Sequence, residues 1–260
     1  MEAKTKTTKK YSAPALEKGL DILELLSKDL TPLSTSTIAE KLNRSNAEIY
    51  RMILVLEQRA YIEKDDESDG YKVTRKLLQL GTEQEPIKDI LEYSQPIMRN
   101  LAEKTGMSCH VAVQSQEQIV VISRVETPSN LSYSVRVGYR RPIVYAASGR
   151  ILFVYQTPEK KDKMLSMLRN HHSEEDINSF LVGCKKIAKQ GFLRSSSAFV
   201  NGVTDLSYPI LDGDSAVASL TVPYIDRIPE EVSIEEVLVE LEKAAGEISK
   251  AVTYGIVRKF

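Results

Sequence analysis

The chain has 260 residues, 42% of them apolar and 27% charged, with 35 basic against 36 acidic side chains. That length accommodates about two domains, the charge balance excludes a polycation, and aliphatic runs such as "MILVL" and "IVVI" fall far short of the roughly 20 residues that span a bilayer. The opening residues hold no apolar signal core, and Cys109 and Cys184 make no disulfide framework, so a cytoplasmic protein without cofactor or structural metal is expected.

In chain order, Lys4, Lys6, Lys9 and Lys10 make residues 1–12 a flexible basic arm, either a solubilising tail or a phosphate contact. "SAPALEKGLDILELLSK" places Leu16, Leu20, Leu23 and Leu26 on one helical stripe. Ser34 can cap a second helix that buries Ile38, Ala39 and Leu42, and Asn43 suits a left-handed ending. A third helix starts at Ser45 or Asn46. Short strand-like runs, Tyr61 to Lys64 and Tyr71 to Thr74, flank the polar turn "DDESDG". Three helices and a hairpin form a winged helix-turn-helix, assigned to residues 13–76. Residues 77–85 read as a linker helix. The helical pattern runs on to Gly106, punctuated by Pro86 and Pro96.

Residues 86–260 mix strands and helices. "SCHVAVQSQEQIVVISRVE" gives two strands around a turn, and "LSYSVRVGY" alternates Leu131, Tyr133, Val135 and Val137 as a third. Ser173 caps a helix that buries Ile177, Phe180, Leu181, Cys184 and Ile187 and ends at Gly191. Phe192, "VTDLSYPIL" and "AVASLTVPY" supply further strands. Ser233 and Glu236 form a capping box for the last helix. The class is α+β, with a curved antiparallel sheet between helices.

On the third helix, at about 100° per residue, Ile49, Ile53, Leu56 and Ala60 share the buried arc, with Met52 at its edge. Ala47, Arg51 and Gln58 point outward and Tyr50 sits at the shoulder. Arginine can grip guanine or phosphate, and tyrosine can donate to phosphate. Glu48 would be repelled by phosphate, but Ser45-Asn46-Ala47-Glu48 fits S-x-x-E, so its carboxylate is assigned to the cap. The residues assigned to DNA contact are Ser36, Asn46, Ala47, Tyr50 and Arg51.

The chain resembles the IclR-type bacterial transcriptional regulators over roughly residues 13 to 258. The likeness lies in "ALEKGLDILELL", "LSTSTIAEKLNRSNAEIYRMILVLEQRAYIEKD", "YKVTRKLLQLG", "VGYRRPIVYAASGRILF" and "QGFLRSSSAFVNGVTDLSYPILDGDSAVASLTV". The resemblance implies an amino-terminal winged helix-turn-helix, a GAF-like effector-binding domain, and dimers or tetramers on DNA. Ser45-Asn46-Ala47-Glu48 stands where the family usually has Pro-Lys-Ser-Thr, and Ala60 where it usually has Gly. The family's effector positions correspond to Ser195, Asp205, Thr221 and Pro223 on late strands and Ala147, Ser148 and Gly149 at a helix start. Amides at a helix start suit a carboxylate, and Asp205 can accept from hydroxyls, so a small hydroxy or sugar acid is the expected effector.

No G-x-S-x-G or glycine-rich phosphate loop occurs, and His171-His172 reads as exposed loop. The expected function is a non-enzymatic, ligand-responsive regulator that reads a pseudo-palindromic operator. Its alternatives are a sensor whose winged helix contacts protein, and a small-molecule enzyme.

Overall fold

The computed structural model describes residues 13–29, 31–82, 87–129, 132–227 and 232–254, and the chain divides into two units, Met1–Glu83 and Gln84–Phe260. The basic arm, Leu131 and Pro86 lie outside the described residues.

In the first unit α1 (Pro14–Lys28), α2 (Thr35–Lys41) and α3 (Asn46–Gln58) precede a hairpin of β1 (Ile62–Lys64) and β2 (Tyr71–Val73), and α4 (Lys76–Thr82) follows. Local signals set the helix ends. Ser34 accepts from the Thr37 amide at the start of α2. Asn43 takes φ 51° in the turn before α3, as expected of a residue that tolerates the left-handed region. Ile22, Leu26, Ile38, Ile49, Ile53 and Ile62 form the core, and each such side chain contributes roughly 2–3 kcal/mol by leaving water.

Two expectations fail here. The α1 stripe holds only in its second half: Leu26 is buried and Leu23 packs against the core, but Leu16 and Leu20 are 63% and 49% exposed, and Ile22 is the second fully buried side chain. A run this rich in leucine offers several stripes, and the spacing of four from Ile22 to Leu26 is the one used. Ala60 is not on the buried arc of α3. The helix stops at Gln58, and Ala60 is exposed at φ 56°.

The second unit is a six-stranded antiparallel sheet of β3 (Cys109–Ser115), β4 (Gln118–Val125), β5 (Arg140–Pro142), β6 (Leu193–Ser196), β7 (Val203–Asp212) and β8 (Ser215–Ile225), in the order β5-β4-β3-β8-β7-β6. The helices α5 (Ile87–Thr105) and α9 (Ile234–Tyr254) cover one face, where Met98, Leu101, Leu241 and Ile248 meet Val111, Leu220 and Val222. On the other face α6 (Ala147–Val154), α7 (Pro158–Arg169) and α8 (Glu174–Gln190) bring Leu152, Phe153, Leu168 and Phe180 to Ala112, Ile119 and Val121. Ser173 caps α8, Gly191 ends it at φ 90°, and Ser233 and Glu236 close the expected capping box.

Pro96 does not punctuate; it lies inside α5. "LSYSVRVGY" is not a strand either. Residues 132–136 carry no ladder, and among the described residues the backbone of this stretch bonds to β4 where Gly138 donates to Val121 and Val121 to Tyr139. Tyr133 and Val135 nonetheless turn inward while Val137 is 51% exposed. Alternation reports one-sided burial, and a strand needs a partner edge as well.

Alanine in the left-handed region costs roughly 1–2 kcal/mol, a penalty glycine escapes. Ala60→Gly is therefore expected to raise stability by about 0.5–1 kcal/mol in chemical denaturation, more than offsetting glycine's looser unfolded state. A destabilised variant would contradict this.

Candidate DNA-reading helix and effector cavity

The start of α3 is held from two sides. Ser45 accepts from the Glu48 amide at 3.4 Å while the Glu48 carboxylate accepts from the Ser45 amide at 3.3 Å, and Lys18 of α1 pairs with the same carboxylate. Chiefly the Lys18 hydrogen bond, with that from Ser45, pulls Glu48 down to about 2. Arg44, in the turn before α3, pairs with Asp21 of α1 at 3.3 Å. Glu48 is thus committed within the unit. Asn46, Ala47, Tyr50 and Arg51 are exposed along the outer side of the helix, and Arg51 is in no ion pair among the described residues. Ser36 is exposed at the start of α2, its hydroxyl 2.8 Å from that of Ser34.

Charge is distributed unevenly around this helix. The hairpin tip carries Asp65, Asp66, Glu67 and Asp69, of which Asp65 pairs with Lys72 and Asp69 with Lys64, each at 2.8 Å. Asp66 and Glu67 remain exposed.

In the second unit a cavity opens between the sheet and the start of α6. Its floor runs from Ile119 and Val121 on β4, through His110 on β3 and Thr221 on β8, to Asp205 on β7. Ala146, Ala147 and Ser148 form the roof, Tyr133, Val135, Tyr139 and Arg141 one wall, and Ser197 and Phe199 the other. Because β5 and the β6–β7 connection belong to opposite edges of the sheet, curling brings them together. Arg141 lies over the Phe199 ring, Cζ 3.2 Å from its centroid, and Tyr139 meets Phe199 edge-on at 6.3 Å.

Gly149 sets the roof. A Cβ there would come within 2.9 Å of the Ile143 Cα and carbonyl carbon, so only glycine lets α6 begin this close to the preceding turn. The first amides of α6 have no partner further back in the helix, and Ala147 and Ser148, which carry two of them, line the cavity. Burial raises the Asp205 carboxyl to about 6 against a Ser197 hydrogen bond and the charges of Arg141 and Arg150. Burial pulls His110 down to about 4, so its ring is neutral.

Of the expected effector residues, Ala147, Ser148, Asp205 and Thr221 line this one cavity; Gly149, Ser195 and Pro223 do not. Ser195 and Pro223 are the cross-strand neighbours of Asp205 and share its face. Gly149 packs behind the lining. The residues that sequence reasoning missed are His110, Arg141, Tyr133, Tyr139, Ser197 and Phe199. Register would reveal two of them: His110 stands opposite Thr221, and Arg141 opposite Ile119.

Two family profiles match the chain: the IclR helix-turn-helix domain over residues 15–66, and the bacterial transcriptional regulator IclR C-terminal domain over residues 87–250. The chain belongs to the IclR family of bacterial transcriptional regulators. It is 22% identical to the transcriptional regulator KdgR of Escherichia coli K12 over 94% of each chain. It is also 22% identical to XynR of the same organism, over 92% of this chain and 97% of that relative. The fold is shared with an IclR homolog from Microbacterium hydrocarbonoxydans solved with 4-hydroxybenzoate (TM-score 0.76, 16% identity, 93% and 100% of the two chains). It is shared also with Pseudomonas aeruginosa HmgR (TM-score 0.74, 20% identity, 93% and 100%). This IclR-family chain is a DNA-binding regulator, and its relatives carry regulator names rather than enzyme names.

The raised Asp205 makes stability depend on pH. A carboxyl near 3.8 in the unfolded chain and about 6 in the native one binds protons more tightly when folded, so stability falls as the pH rises through that window. Asp205→Asn removes the term. It is expected to stabilise the domain at pH 7, by up to about 3 kcal/mol, and to lose that advantage as the pH drops below 4. Thermal unfolding across pH checks this, and equal gains at both ends would contradict it.

Proposed function

We propose that this regulator reads a pseudo-palindromic operator with α3 as a symmetric dimer or tetramer in the cytoplasm, and that the cavity beneath α6 takes a small hydroxylated organic acid. The observation that carries the DNA half is the commitment of Glu48 to Lys18 and Ser45, which leaves Ala47, Tyr50 and Arg51 as the face for the major groove. The acidic hairpin tip disfavours phosphate, so α3 and Ser36 carry the contact and the wing contributes little. Leu16 and Leu20 on α1, and Leu77, Leu78 and Leu80 on α4, are exposed apolar side chains suited to a second copy. Among the described residues no helix is long and apolar enough to cross a membrane, in keeping with a cytoplasmic regulator.

The effector half rests on the cavity's mixed lining. Arg141 and the α6 amides suit a carboxylate, Asp205 and His110 suit hydroxyls, and Tyr133, Tyr139 and Phe199 suit the carbon body. The structural relative solved with 4-hydroxybenzoate holds a ligand with both groups. Ligand acts by favouring one arrangement of the DNA-reading heads over another, with α4 and residues 77–85 as the connecting element. The reading in which the winged helix grips protein differs in its salt response, because phosphate contacts weaken steeply as salt rises.

Arg51→Ala is expected to weaken operator binding by about 1–3 kcal/mol, roughly five- to 150-fold, with an unchanged thermal midpoint. Fluorescence anisotropy on a labelled operator measures it. Undiminished affinity would show that a different face meets DNA.

A further inference from the structure

The effector cavity holds a cation with no paired anion among the described residues. Arg141 is in no ion pair among the described residues, and its Nε is buried without a hydrogen bond. Burial lowers it from the usual arginine range. The nearby carboxylate does not neutralise it: Asp205 feels its charge, but takes its side-chain hydrogen bond from Ser197. A guanidinium left this way loses hydration without gaining an anion, which is unfavourable. The flat contact with Phe199 offsets part of that cost, as a ring face does for a cation.

A second incomplete group sits on the floor of the same cavity. The His110 ring is 8% exposed, lines the cavity, and has no side-chain hydrogen bond among the described residues. Being neutral, it offers one donor and one acceptor. Its neighbour across the ladder, Thr221, is already engaged, with its hydroxyl 2.8 Å from that of Ser207. The cavity volume is only ≈ 50 Å³, against the roughly 150 Å³ of an engineered cavity that admits benzene. With Arg141 resting on Phe199 the cavity is too small for a six-carbon acid.

Resting on the reading of this cavity as the effector site, we propose that Arg141 is the specificity-determining residue that selects a carboxylate, exchanging its stack on Phe199 for a two-pronged salt bridge, and that His110 takes a hydroxyl of the same acid. Recognition and opening are then one event. The carboxylate draws the guanidinium off the ring, and Phe199 and its β6–β7 connection become free to make room. A neutral analogue of the same shape offers Arg141 no anion and leaves the clasp shut. Lysine cannot match the fork geometry and serves only in part.

The test uses the full chain and calorimetric titration with 4-hydroxybenzoate and D-gluconate, each compared with its carboxamide. The wild type is expected to prefer at least one acid over its amide by about ten- to a hundredfold. Arg141→Gln should lose that preference and bind acid and amide equally weakly, while Arg141→Lys keeps part of it. His110→Phe should narrow the gap between 4-hydroxybenzoate and benzoate without abolishing the preference for acid over amide. Thermal midpoints and operator binding establish that each variant is folded. A wild type without any acid preference, or an Arg141→Gln variant that retains it, overturns the role of Arg141. Ala147→Leu narrows the cavity from its roof; if it binds the acid as the wild type does, the cavity reading itself falls.

Discussion

The close approach of Gly149 to the Ile143 carbonyl sets the geometry of the effector-binding half. Without a side chain at that position, α6 can begin directly after the Ile143–Tyr145 turn and lie over the sheet. Its first residues then line the same cavity as His110, Thr221 and Asp205, three polar side chains on a sheet whose other face is a continuous apolar core. A larger residue would push the helix outward and open the roof. The polar floor would then face solvent, and neither the raised Asp205 nor the neutral His110 would persist, since burial causes both shifts.

The DNA-reading half is organised by charge pairing at one helix start. Lys18 and Asp21, one turn apart on α1, take Glu48 and Arg44 at the entry to α3. These exposed pairs contribute modestly to stability. Their consequence is for recognition: the only carboxylate in the first turn of α3 is occupied by Lys18 and Ser45, and the outer side is left small, aromatic and basic. In the proposed reading, a start of Ser-Asn-Ala-Glu in place of the family's usual Pro-Lys-Ser-Thr keeps a usable face, with contacts that differ from the common pattern.

Signals confined to four or five neighbouring residues were legible in the sequence. Asn43, the Ser45–Glu48 box, Ser173, Gly191 and the Ser233–Glu236 box all depend on backbone groups within one helical turn. Asp205 and Thr221 came from the resemblance, and their place in one cavity follows from the strand register. What was not legible depends on chain segments far apart. Arg141 and Phe199 meet because the sheet curls until its two edges approach, and no local pattern encodes that curl. His110 looked like one more residue of an apolar strand. The first half of the α1 stripe differs for another reason: Leu16 and Leu20 at helical spacing also satisfy a surface seam, and it is the burial of Ile22 with Leu26 that decides between them.

The most direct measurement is a crystal structure of the full chain with the acid that most raises its thermal midpoint. We expect its carboxylate against the Arg141 guanidinium and the Ala147 and Ser148 amides, a hydroxyl near His110 or Asp205, and the Phe199 ring displaced. Ligand seated elsewhere, as in the open groove lined by Phe192, Tyr208 and Ser249, with Arg141 still stacked on Phe199, would contradict this account of the effector site.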